Sequence, residues 1–190
     1  MQYRRLLAIA IWFLAVTAAP VQAQQDRNGG WGNDQFIAGG SVRVDKPVAG
    51  DLIAAGGNVD VDAAVEGDVV LAGGNLRVSA GVGQNLYATG GRLMLDSAVG
   101  RNMRVAAGQV DIGAKASIGR NLTVGGGQVS VRGPVKGSVM VGGGRVLIDA
   151  VVDGDVSSTA GRITLGPNAR IGGALRYRSS EAIERDPAAQ

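Results

Sequence analysis

The sequence predicts an all-β fold, a single-stranded parallel β-helix (solenoid) of about eight three-sided coils. Three observations carry the prediction. One short unit is written eight times between Gln35 and Ala174, starting at Gln35, Leu52, Val69, Leu86, Met103, Leu122, Val139 and Val156. Six copies hold 17 residues and two, from Met103 and Val156, hold 19. A ninth copy begins at Leu175 and stops after Tyr177. A fixed period of this size marks a solenoid. Within each copy apolar residues alternate as on a strand, and glycine returns at one slot of every copy.

The second copy, Leu52 to Asp68, displays the unit. Slots one, three, eight, ten and fourteen hold Leu52, Ala54, Val59, Val61 and Val65. Steps of two place one face in and the other out. A helix needs steps of three and four, and the intervening glycines would break it. Eight copies give 40 such positions, of which 38 are apolar. Chance at the overall hydrophobic content of 45% gives about 18. The exceptions, Gln35 and Ser158, fall in the first and last copies, where a stacked array has a neighbour on one side only.

Slot six is glycine in all eight copies: Gly40, Gly57, Gly74, Gly91, Gly108, Gly127, Gly144 and Gly161. Such a corner requires either a φ above zero or a tight approach of stacked chains. Units end in pairs such as Gly67-Asp68, Gln84-Asn85 and Arg101-Asn102. Asp and Asn tolerate left-handed conformations and bond their own backbone at turns. Each coil is thus expected to carry three short strands and three corners. Stacked at ~4.8 Å, eight coils make a rod of roughly 38 Å. The longer copies insert two residues at the third corner, within Gly113–Gly119 and Gly166–Gly172, read as small outward loops.

The flanks set the domain boundaries. Arg4 and Arg5 precede an uncharged run of 14 residues, Leu6 to Ala19, and then Pro20-Val21-Gln22-Ala23. This is the order of a secretory signal peptide, and the run falls short of the ~20 residues that span a bilayer. Residues 1–23 are therefore expected to be cleaved after Ala23, with export to the periplasm or cell surface. The alternative is a segment retained as a membrane anchor. Residues 24–34 read as a flexible leader, 35–177 as the β-helix, and the polar residues 178–190 as a disordered tail.

Composition excludes several functions. The chain has no cysteine and no histidine, which removes disulfides, most zinc sites and most nucleophilic triads. No cofactor or metal is expected. Loss of residues 1–23 leaves 17 basic and 16 acidic residues, a net charge of +1. That argues against nucleic acid, which needs a clustered cationic surface. Glycine tracts such as Gly125-Gly126-Gly127 lack the following Lys and Ser/Thr of a phosphate loop and read as corners.

Carboxylates are the remaining catalytic candidates. Asp60 and Asp62 point outward from one strand, while Asp45, Asp62, Asp96 and Asp149 share slot eleven. Paired acids serve glycosidases or hold Ca²⁺, but charged side chains mostly sit on solvated faces, and no copy has room for a groove-forming loop. Charge is banded along the axis, with nine bases against two acids from Arg77 to Arg145. Such bands suit register between rods or an acidic polymer; mixed-sign surfaces also serve solubility alone.

The ends carry the most informative apolar residues. Phe36 and Ile37 lie in the first coil, and Leu175 and Tyr177 begin the unfinished one. A β-helix end exposes unpaired strand edges, soluble solenoids normally cap both ends, and the tails here are short. These four residues are the expected self-association sites. The competing arrangement has residues 24–34 and 178–190 folding over the ends.

The 17-residue unit, the Gly-Asp corners of VEGDVVLAGGNLRV and VVDGDVSSTAGRITL, and the segment LGPNARIGG at Leu165–Gly173 resemble the bactofilins, the polymer-forming cytoskeletal proteins of bacteria. The resemblance covers about residues 35–177. It implies a right-handed, three-faced β-helix that polymerises through its ends without nucleotide and scaffolds cell-envelope enzymes. Typical bactofilins are cytoplasmic, whereas this chain reads as exported. The expectation is a non-enzymatic structural protein that self-assembles end to end in the cell envelope. Its partners would be its own copies, with envelope polysaccharide or envelope enzymes besides. The alternative is a secreted β-helical surface module that binds polysaccharide or serves as an adhesin stalk.

Overall fold

A computed structural model describes residues 29–190 of the chain. The expected signal peptide and residues 24–28 of the leader lie outside the described residues. Those residues form a parallel β-solenoid of about nine turns, without helices. Long strands recur once per coil: Asp34–Val44, Leu52–Val61, Val69–Val78, Leu86–Leu95, Met103–Ile112, Leu122–Val131, Val139–Ile148 and Val156–Leu165. Each pairs in parallel with the next, slot on slot, as in Leu52↔Val69 and Val69↔Leu86.

The coil is less evenly divided than three short strands. Slots one to ten form one bent strand, and only slot six drops out of the ladder, since Gly56↔Gly73 and Asn58↔Asn75 both pair. The last side of the coil is short. It is two residues where Val151–Val152 meets Arg170–Ile171 and Ala98–Val99 meets Ser117–Ile118, and a single bridge such as Val65↔Val82 elsewhere. The glycine bend turns the chain without interrupting coil-to-coil hydrogen bonds on either side of it.

Of the two reasons for a corner glycine, close approach applies. Among the described residues only Gly32 has a positive φ, of 64°. A Cβ on Gly91 would stand 2.7 Å from the carbonyl oxygen of Gly74, and one on Gly57 would stand 2.8 Å from that of Gly40. Beneath Gly40, in the first coil, no described residue lies within 4 Å. The glycines are therefore required by the coil below them and not by their own torsions.

The five inward slots build the core. Leu52, Val59, Val61 and Val65 of the second coil are buried, and Leu86, Leu93 and Leu95 continue the columns two coils on. Fully burying such a side chain contributes roughly 1.5–3 kcal/mol, so a column of aliphatics holds the rod without disulfides. Ser158 occupies inward slot three of the eighth coil, is 2% exposed, and its hydroxyl has no hydrogen-bond partner among the described residues. The two inserts lie between slots ten and fourteen, at the bend after the glycine corner rather than at the end of the unit. Each closes a tight turn, Ala116 N–H to Gly113 O and Ala169 N–H to Gly166 O, both 3.0 Å.

Both flanks depart from expectation. Residues 29–34 of the leader form a hairpin, with Gly29–Trp31 antiparallel to Asp34–Phe36. Glycine with positive φ at the first loop position is the turn that two-residue hairpins favour, and Gly32-Asn33 supplies it. The tail from residue 178 is ordered as a ninth coil. Leu175–Ser179 pairs with Val156–Ala160, and Glu184–Arg185 with Thr164–Leu165. Gln190 pairs with the third side, its N–H donating to Ala169 O at 2.9 Å and its O accepting from Ile171 N–H at 3.0 Å.

Candidate functional site: the ends and faces of the rod

The C-terminal end is where sequence expectation and structure differ most. Leu175 and Tyr177 were expected to begin a coil that never closes. Leu175 is half-buried and Tyr177 is 51% exposed, but the coil continues past both. Ile183 packs against the core, and Ala189 is buried over Ala169. Arg185 occupies slot ten, paired with the buried Leu165. Its guanidinium donates to Ala189 O from Nε at 3.2 Å and from Nη2 at 2.5 Å. Along the flank, Arg162 donates to Glu181 at 2.8 Å and lies 3.9 Å from Glu184. The hydrogen bond and charge of Glu181, with Glu184 behind it, raise the Arg162 pKa.

A sequence signal for this closure exists. Asp186-Pro187-Ala188-Ala189 repeats Gly166-Pro167-Asn168-Ala169, down to the Ala189 N–H to Asp186 O turn of 3.0 Å. It escaped the periodic reading because the ninth coil runs one residue longer before that point. Val156↔Leu175 is an offset of 19, whereas Leu165↔Arg185 is one of 20. The charge of Arg185 at slot ten removed a further cue.

At the N-terminal end, Phe36 is exposed and Ile37 is half-buried against the core. The hairpin covers the outer edge of the first long strand only from Asp34 to Phe36. From Ile37 to Val44 that edge has no strand partner among the described residues. Val42, Val44 and Val48 are nonetheless buried.

The last slot of the unit does more than terminate a turn. Asp51 Oδ1 accepts the Asp68 N–H at 2.7 Å, Asp68 Oδ1 the Asn85 N–H at 2.9 Å, and Asn85 Oδ1 the Asn102 N–H at 3.1 Å. The side chain thus bonds the backbone of the next coil, not its own. The ladder ends at Asp155, which accepts the Ala174 N–H at 2.8 Å and the Arg176 guanidinium at 3.0 Å. Those two donors hold the Asp155 carboxyl below its ordinary pKa.

The outer faces divide into three kinds. Phe36, Ile53, Val70 and Tyr87 stack in register on slot two of the first four coils, the first three about two-fifths exposed. A contiguous apolar patch of that kind favours a protein contact. Beside slot six runs a shallow groove of about 600 Å³, floored by Gly74, Gly91, Gly108 and Gly127 and walled by Arg92, Gln109, Gln128 and Arg145. Arg92 donates to Gln109 at 3.1 Å, while Arg145 and Gln128 make no side-chain bond to the described residues. The carboxylates are dispersed: Asp62 pairs with Arg43 at 2.6 Å and Asp111 with Arg132 at 2.8 Å. Among the described residues no three acids gather as a metal site would require.

The basic stretch from Arg77 to Arg145 wraps the rod and does not form one face. Arg92 and Arg145 share slot seven, Arg101 and Arg120 lie at the opposite corner, and Arg104 sits 5.8 Å over the Tyr87 ring. No helix of the described residues is long and apolar enough to cross a membrane. No protein-family model, curated protein or solved structure matches the chain.

Proposed function

We propose that the chain is a non-enzymatic scaffold protein, exported to the cell envelope, whose rods join through their N-terminal ends. The observation that carries this reading is the strand edge from Ile37 to Val44, unpartnered among the described residues. An edge of that length is a template for a strand of another chain. The valines behind it are already buried, so the joining energy comes from backbone hydrogen bonds and from Phe36 and Ile37. The bactofilin resemblance supports the same reading, and the signal-peptide pattern supplies the compartment. The C-terminal end contributes no joining surface, because the coil that Leu175 and Tyr177 begin continues to Gln190. Sedimentation velocity and negative-stain microscopy of residues 24–190 test it. Joined rods are expected for the wild type and single rods for Phe36→Asp, whose side chain points outward. A wild type that stays single at high concentration removes the proposal.

A second reading rests on the groove. Arg145 and Gln128 face a floor without side chains, a surface suited to hydroxyl and carboxylate groups of an extended acidic polysaccharide. Binding of such a polymer that survives Arg92→Ala with Arg145→Ala would dismiss it.

A further inference from the structure

We infer that Arg185 is an end stop, which closes the C-terminal face of the rod to any further coil. In every preceding coil slot ten is aliphatic, from Val44 in the first to Leu165 in the eighth. In-register parallel strands point paired side chains the same way, so Arg185 leaves the backbone in the direction of Leu165, toward the interior. It is the one cation at that slot. The turn from Asp186 to Ala189 then supplies Ala189 O, which receives two hydrogen bonds and holds the guanidinium of the exposed Arg185 beside the buried Ala189.

A coil laid on this end would bury that guanidinium inside an aliphatic column. Among the described residues no carboxylate is paired with it. Glu181 is taken up by Arg162, and Glu184 by Arg162 and by Thr164 Oγ1, which donates to it at 3.1 Å, all on the outer face. An unpaired buried cation is prohibitively unfavourable, and inward-pointing charge is a known way to blunt a sheet end. Arg176 and Arg178 add exposed charge to the same coil. The N-terminal coil carries no such residue at its inward slots. Rods that join through that coil alone stop at two chains related by a twofold axis, because like ends meet. The count of two rests on the proposed end-joining; the stop itself does not.

Sedimentation velocity of residues 24–190 over a wide concentration range tests this with wild type, Arg185→Leu and Arg185→Lys. Wild type and Arg185→Lys should not exceed two chains. Arg185→Leu should reach roughly double the wild-type mass or more at equal concentration. An Arg185→Leu protein that folds as wild type by circular dichroism but matches its mass overturns the inference, as does a wild type that grows past two chains. Should Arg185→Leu fail to fold, Arg185→Met must grow instead, and its failure to grow counts equally against the stop. A wild type that remains single sinks the end-joining proposal alone; the gain in Arg185→Leu is still read against it.

Discussion

The corner glycines offer the sharpest test of how the coils are stacked. Gly40 and Gly91 hold the same slot, and neither has a positive φ. They differ in what lies beneath: a Cβ at Gly91 falls 2.7 Å from the Gly74 carbonyl oxygen, while at Gly40 no described residue lies within 4 Å. Gly91→Ala must push two hydrogen-bonded coils apart or tilt the bend, an overpacking that costs about 1–3 kcal/mol. Gly40→Ala meets no obstacle and reduces the freedom of the unfolded chain, so it should stabilise by about 0.4–1 kcal/mol or leave stability unchanged. Urea unfolding followed by circular dichroism on residues 24–190 reads both, comparing midpoints because repeat arrays can depart from two-state behaviour. If Gly40→Ala is as damaging as Gly91→Ala, the corner needs glycine for its torsions and the close-approach argument is wrong.

Three further outcomes follow from the geometry. Ser158→Ala removes a buried hydroxyl without a partner among the described residues and should raise stability by about 1 kcal/mol; a lower thermal midpoint would show that the hydroxyl is satisfied. Asn102→Ala strips the Asn121 N–H of its acceptor and Asn85 Oδ1 of a donor, a loss of about 1–2 kcal/mol. Asn102→Asp, which restores the acceptor, should recover part of it, and equal thermal midpoints for the two variants would contradict the ladder. Asp155 has a folded pKa below its unfolded one, so its contribution is present at neutral pH and disappears as pH falls through the folded value. A carboxyl NMR titration should place its midpoint below that of the same residue in Arg176→Ala; coincident midpoints refute the assignment.

Much of the architecture was legible because the repeat is a direct record of the inward slots. Leu52, Val59, Val61 and Val65 announce a strand period, and in a solenoid each slot meets its own copy one coil away. The torsional choice at Gly57 was not legible, since glycine suits both a left-handed bend and a crowded one. The role of Asp68 and Asn85 was half legible: their residue types suit turns, but only stacking decides that the acceptor serves the next coil. The four residues expected at adhesive ends were separated by the fold. Phe36 and Ile37 remain beside an unpartnered edge, whereas Leu175 and Tyr177 belong to a coil that continues to Gln190.

Sequence alone determined the winding of this chain, its aliphatic interior and the absence of thiol or imidazole chemistry, because periodic burial is written residue by residue. Tertiary structure alone decided which end is closed. A one-residue shift in the final coil hides Arg185 from any periodic alignment, and only the pairing of Leu165 with Arg185 reveals a charge standing where eight coils place a hydrocarbon.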